Sequence, residues 1–122
     1  MAVEKRTPAQ QRRIDDVRAF IRTVEHVRKM VAELESNRAA RSPVIDNICA
    51  GIARELSQLR QRALSANIGT LADTAGSLAV LAGRGGGGVN LKIRGLTDGV
   101  HNMMTELDQA LKHALAGEKK EP

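Results

Sequence analysis

Apolar residues recur at intervals of three and four along most of the chain, which is the spacing of an amphipathic helix. The first stretch keeps this spacing over nearly three heptads and forms an apolar seam. The seam consists of Val17, Phe20, Val24, Val27, Val31 and Leu34. Thr7 precedes it as a candidate cap, Pro8 suits the first helical position, and Gln10 could complete a capping box. We predict a helix from Pro8 to about Arg38, roughly 45 Å long at the usual helical rise.

A second helical stretch follows the Ser42–Pro43 pair, in which the serine could cap the helix and the proline could occupy its first position. Its apolar positions again alternate between three and four residues apart. They are Ile45, Ile48, Ile52, Leu56, Leu59 and Ala63. Asn67 and Gly69 are residues that commonly end a helix, so we predict that the second helix stops before them.

The last two predicted helices differ in length and in side-chain size. Thr70 could cap a short third helix that is rich in alanine and ends at Gly83. Four consecutive glycines at 85–88 then predict a loop, because glycine loses much backbone entropy in a helix. Asn90 could cap a long fourth helix that ends near Gly117. Its stripe is Ile93, Leu96, Val100, Met103, Leu107, Leu111 and Ala114.

Four helices with short connections predict an all-α fold, an antiparallel four-helix bundle with up-down-up-down topology. Residues 7–117 would form this single domain, residues 1–6 a frayed N-terminus, and residues 118–122 a charged tail. Positions in the middle of each stripe should lie deepest in the core. These are Val24, Ile52, Leu56, Val100 and Leu107.

Two glycines lie four residues apart on the predicted fourth helix, Gly95 and Gly99. Glycine within a helix costs about 1 kcal/mol relative to alanine, so a packing reason is expected for such a pair. We predict that they allow the third and fourth helices to approach closely. The alternative is that both glycines are merely tolerated.

The composition supports packed helices rather than strands. Hydrophobic residues make up 42% of the chain, but they include one Phe, no Trp or Tyr, and 17 alanines. Strands favour aromatic and β-branched residues, so this composition argues against a β-sandwich. No apolar run reaches the roughly 18 residues of a membrane span. The first residues lack the apolar region of a secretory signal. We therefore expect a cytoplasmic protein that does not associate with membranes.

The residues that usually carry chemistry are few. Cys49 is the only cysteine, which excludes an internal disulfide and a multi-cysteine metal site. It lies on the apolar side of the second helix, where a thiol is usually inert. His26, His101 and His113 lack carboxylates at metal-binding spacing. We predict no catalytic residues, no metal and no cofactor, and hence a protein that is not an enzyme.

The segment 83–88 matches the pattern G-x-G-x-x-G of dinucleotide-binding loops. That motif needs a preceding strand, and none is predicted, so a simple connector is the better interpretation. The loop nevertheless leads into the start of a helix, which can hold an anion. Arg84, Lys92 and Arg94 are the candidate anion contacts.

The net charge of +5 is concentrated in the first half of the chain. Residues 1–66 contain 13 basic and 8 acidic residues, whereas residues 67–122 contain six of each. One interpretation is that the first two helices bind nucleic acid or another polyanion. The other is an ordinary solvated face, in which pairs such as Glu25–Lys29 and Lys29–Glu33 support the helix. Without aromatic residues to stack on bases, any nucleic-acid binding should be weak.

The stretch Leu59-Arg-Gln-Arg-Ala-Leu-Ser-Ala-Asn-Ile-Gly69, followed by Leu71-Ala-Asp-Thr-Ala-Gly76, resembles histidine phosphotransfer (HPt) domains. These are four-helix bundles whose phosphorylated histidine lies on the second bundle helix. The resemblance covers about 20 residues, in the Asn-Ile-Gly break and the alanine-rich third helix. Leu59 stands where the family has its histidine, so the resemblance implies a phosphorelay protein whose phosphoacceptor is absent or relocated. His101 is the candidate for a relocated one.

Together these features predict a non-enzymatic bundle that acts through contacts with an unknown protein partner and with itself. The first helix is long, and a core with one aromatic residue is thin. We therefore predict a homodimer, the commonest closed oligomer, formed through the seam from Val17 to Leu34. The alternative is a monomer in which the segment from Glu33 to Arg38 overhangs the bundle.

Overall fold

The structure is a computed structural model that describes residues 6–84 and 88–116. Four helices make up nearly all of these residues, and no strand occurs among them. The helices are α1 (Pro8–Ser36), α2 (Ser42–Ser65), α3 (Gly69–Gly83) and α4 (Val89–Ala116). The predicted all-α four-helix fold is confirmed.

Each helix packs against two others. Helix α1 lies against α2 and α4, and α3 lies against the same two helices from the other side. Gln10 Nε2 donates to the carbonyl oxygen of Ala114 at 3.0 Å, and Arg13 Nη1 donates to that of Ala66 at 2.6 Å. The start of α1 is therefore held beside the ends of α2 and α4. In both places a side chain satisfies a carbonyl that the end of a helix leaves unpaired.

The core confirms the residues predicted to lie deepest. Val24, Ile52, Leu56 and Leu107 are fully buried, and Val100 is 3% exposed.

The whole seam of α1 is also part of this core. Val17, Phe20, Val24, Val27, Val31 and Leu34 are each at most 5% exposed in the single chain. The assignment of this seam to a dimer interface is therefore wrong, because the seam is already buried within the single chain, where α2 and α4 pack against α1.

The helix ends confirm some predicted caps and correct others. Thr7 Oγ1 accepts from the backbone N–H of Gln10 at 3.0 Å, as a cap should. The Gln10 side chain donates to Ala114 instead, so no capping box forms. The predicted caps Ser42, Thr70 and Asn90 are wrong, because each lies inside the first turn of a helix that begins at or before it.

The break between α2 and α3 lies where the sequence placed it. Asn67 has a φ of 59°, the left-handed conformation that asparagine tolerates better than most residues.

The end of α1 does not overhang the bundle, which was the alternative considered for the segment from Glu33 to Arg38. Leu34 is fully buried, the helix stops at Ser36, and the side chain of Asn37 donates to the carbonyl oxygen of Glu33 at 2.8 Å. Glu35 lines the same surface groove as Thr97 of α4, so α1 has a packing partner close to this end.

The two glycines of α4 lie against α3, as predicted. A Cβ atom on Gly99 would overlap the branched end of Leu78, with the Leu78 Cγ only 2.8 Å away. A Cβ atom on Gly95 would lie 2.6 Å from Leu81 Cδ2. Real Cβ atoms do not come so close to a neighbour, so the absence of a side chain sets the distance between α3 and α4.

Several predictions concern residues that the structure does not describe. The predicted frayed N-terminus lies outside the described residues except for Arg6, and the predicted glycine loop does so except for Gly88. The whole of the predicted charged tail lies outside them. In the part of the chain that is described, no helix is both long enough and apolar enough to cross a membrane.

Candidate functional site: a groove between α1 and α4

A groove of about 490 Å³ runs between α1 and α4 on the surface of the bundle. Val31 and Val100 form its floor together with the half-buried Met104. The remaining lining residues are Glu25, Arg28, Ala32, Glu35, Thr97 and His101. Small side chains at Ala32 and Thr97 leave the space between the helices open. We define the α1–α4 groove by these nine residues.

The rim of the α1–α4 groove is charged, in contrast to its floor. Arg28 forms an ion pair with Glu25, with Nη2 and Oε1 2.5 Å apart. The Arg28 Nε also donates to the same oxygen at 3.0 Å. This is the one ion pair found within residues 6–84 and 88–116, and Glu35 takes no part in it. Glu25 therefore pairs with Arg28 rather than with Lys29, which was the partner expected from the sequence.

His101 lies on the rim, one turn before Thr105 on α4. Its side chain is exposed, and its backbone carbonyl oxygen accepts from the Thr105 hydroxyl at 3.1 Å. The sequence singled out His101 as a relocated phosphoacceptor, and the structure places it beside the apolar floor. Phosphorylation of His101 stays a prediction, as does the kinship with HPt domains.

Cys49 is poorly suited to nucleophilic chemistry, as its place on α2 indicated. The residue is 3% exposed, and burial raises the pKa of its thiol, while the nearby charge of Lys92 lowers it and that of Asp46 raises it. A reactive cysteine needs a lowered pKa and access to solvent. Within the described ranges no cluster of three or more His, Cys, Asp or Glu could hold a metal ion.

Two of the three candidate anion contacts, Lys92 and Arg94, lie on nearly opposite sides of α4. Arg84 follows the last residue of α3, while Lys92 is close enough to Cys49 of α2 for its charge to act on that thiol. Lys92 and Arg94 are two positions apart on α4, so their side chains leave the helix about 200° apart. Binding of an anion by Arg84, Lys92 and Arg94 together stays a prediction.

Glu106 is a second site with unusual chemistry, and the sequence analysis missed it. It lies between α3 and α4, where its Oε2 accepts from the Thr74 hydroxyl at 3.1 Å, while its Oε1 is buried and has no hydrogen-bond partner among the described residues. Burial raises the pKa of this carboxyl, the Thr74 hydrogen bond lowers it, and the charge of Asp73 raises it. Its position in the sequence could have indicated this site, because Glu106 continues the row of Gly95 and Gly99 on α4 that faces α3.

We predict that Glu106→Gln stabilises the protein at neutral pH. Because the pKa of Glu106 is raised in the folded state, its contribution to stability is full below the ordinary value of 4.5 and is lost as the pH rises through the folded value. Glutamine keeps the contact with Thr74 and carries no charge. Thermal melts should show a higher melting temperature at pH 7 and a difference that disappears in acid. The exposed Glu33→Gln is the control, and an equal rise in both variants would contradict this prediction.

Comparison with known proteins gives no matching family model, no matching curated protein and no matching solved structure.

Proposed function

We propose that this chain is a non-enzymatic protein-binding module whose α1–α4 groove takes a short apolar segment of a partner protein. The observation that carries the proposal is the combination of an apolar floor with a charged rim on one open surface. Such a floor excludes water from an apolar side chain, and such a rim fixes its orientation.

The dimensions and charge of the groove define the partner segment. Glu25 and Glu35 are ten residues apart, which spans about 15 Å of helix. This length accommodates two or three turns of a partner helix. The rim carries two carboxylates and one guanidinium, and that guanidinium is already paired with Glu25. Charge complementarity therefore favours a segment in which apolar residues are flanked by Lys or Arg.

The test is selection of binding peptides from a displayed library of random sequences. We expect the selected peptides to combine apolar residues with basic ends. Ala32→Arg places a long cation in the groove at an exposed position, so it should abolish their binding. Ala50→Arg is the matched control, because Ala50 is also an exposed helical alanine but lies on α2, outside the groove. Peptides that bind Ala32→Arg as well as the wild type would contradict the proposal.

A second candidate is weak binding of a polyanion by the basic surplus of the first two helices. One observation favours it: within the described ranges only Arg28, among the basic residues, is in an ion pair, so acidic neighbours neutralise little of the surplus. Binding of this kind weakens steeply with salt, because bound counterions are released. Gel shifts with mixed DNA and RNA at low and high salt test it, and no shift at low salt contradicts it.

A further inference from the structure

Helix α3 has an outer face that none of the other three described helices covers. Its inner residues, among them Leu71, Ala75 and Leu78, are buried against α2 and α4. We define the outer face as Asp73, Ser77, Val80 and Arg84, which are all exposed. Intervals of four, three and four place them in one row along the helix. Val80 is 61% exposed, although valine is a residue that usually lies inside.

The charges of the outer face have opposite signs at its two ends. Asp73 is the only charged residue of α3, and Arg84 follows directly after the last residue of the helix. Eleven residues separate them, which is about 16 Å along the helix. Between them lie Ser77 and Val80, which carry no charge. Each end of the face therefore complements the opposite end of an identical face.

We propose that two copies of this chain associate through the outer faces of their α3 helices, which lie antiparallel about a two-fold axis. The axis passes between Ser77 and Val80, the midpoint of the row. Asp73 then faces the partner's Arg84, and Arg84 faces the partner's Asp73, so both contacts form at once. Val80 lies beside the partner's Ser77 and is removed from water. A parallel arrangement would instead bring like charges together.

Neighbouring helices add apolar surface beside this face. Leu64, 46% exposed, continues the row of α2 in which Ala53 and Arg60 lie against Gly83 and Gly76 of α3. Leu91, 68% exposed, lies one turn before Gly95 on the row of α4 that faces α3. The sequence analysis placed self-association on α1, whose seam is buried, whereas the outer face of α3 is exposed and accessible to a second copy. This inference does not depend on the α1–α4 groove, since α3 makes no contact with α1.

The test is sedimentation equilibrium of the full chain and of charge-reversed variants. The wild type should approach twice the chain mass of 13.1 kDa as its concentration rises. Asp73→Arg and Arg84→Asp should each remain monomeric, because each places like charges at both ends of the contact. An equimolar mixture of the two variants should again form dimers, since every contact then joins opposite charges. The double variant Asp73→Arg/Arg84→Asp should form dimers on its own.

Two controls separate this inference from other effects. Asp108→Arg reverses an exposed charge on α4, away from α3, and should dimerise like the wild type. Ala32→Arg should dimerise as well, although it closes the α1–α4 groove. Circular dichroism melts must show that the single variants remain folded. The inference is overturned if the wild type stays monomeric, if either single variant dimerises normally, or if neither the mixture nor the double variant recovers the dimer.

Discussion

Leu56→Ala should lower the free energy of unfolding by about 2–5 kcal/mol, the range for a buried leucine in a core that cannot close around the cavity. Leu56 is fully buried in the middle of α2 and belongs to the core that joins all four helices. The control is Leu64→Ala on the same helix, because Leu64 is 46% exposed and its loss leaves no cavity. Urea unfolding measures both values. Equal losses in the two variants would mean that the packing of α2 differs from the one described here.

Gly99→Ala should also destabilise the bundle, although alanine ordinarily favours a helix by about 1 kcal/mol over glycine. A methyl group there meets Cγ and both Cδ atoms of Leu78, a residue only 7% exposed that has little room to move. Overpacking of this kind costs about 1–3 kcal/mol. We expect a lower melting temperature, and a rise would show that α3 and α4 do not meet at this glycine.

Two further variants show whether the overlap with Leu78 is the cause. Gly95→Ala is the milder case, because only Leu81 Cδ2 is closer than 3.0 Å and Leu81 is half-buried, so its side chain can rotate away. Its melting temperature should change less than that of Gly99→Ala. Adding Leu78→Ala should remove the penalty of Gly99→Ala, so that the two changes are not additive. Strict additivity would point to another source of the loss.

The helices and their buried faces could be predicted from the sequence because both depend on local spacing. Thr7, Asn67 and the deepest core residues all lie where that spacing and the usual helix-end signals placed them. The seam of α1 illustrates the limit of the method. Its regular spacing shows that one face is buried but not what buries it, and here α2 and α4 of the same chain pack against it.

The surfaces were harder to predict because they depend on which helices become neighbours. The α1–α4 groove joins Ala32 and His101, which are far apart in the sequence and come together only when α1 packs beside α4. The environment of Glu106 likewise depends on Thr74 across α3. By contrast, the outer face of α3 could have been read from the sequence, since the row from Asp73 to Arg84 has helical spacing. This row lies off the apolar stripe of α3, and an apolar stripe predicts only the buried face of a helix.

Binding at the α1–α4 groove is the central claim, and mapping of amide chemical shifts tests it most directly. A selected peptide would be titrated into the isotope-labelled wild-type chain and followed by two-dimensional NMR. We expect the largest shifts at Ala32, Thr97 and His101, with little change along α2 and α3. Shifts that cluster on α2 or α3, while those three amides stay unchanged, would contradict the claim.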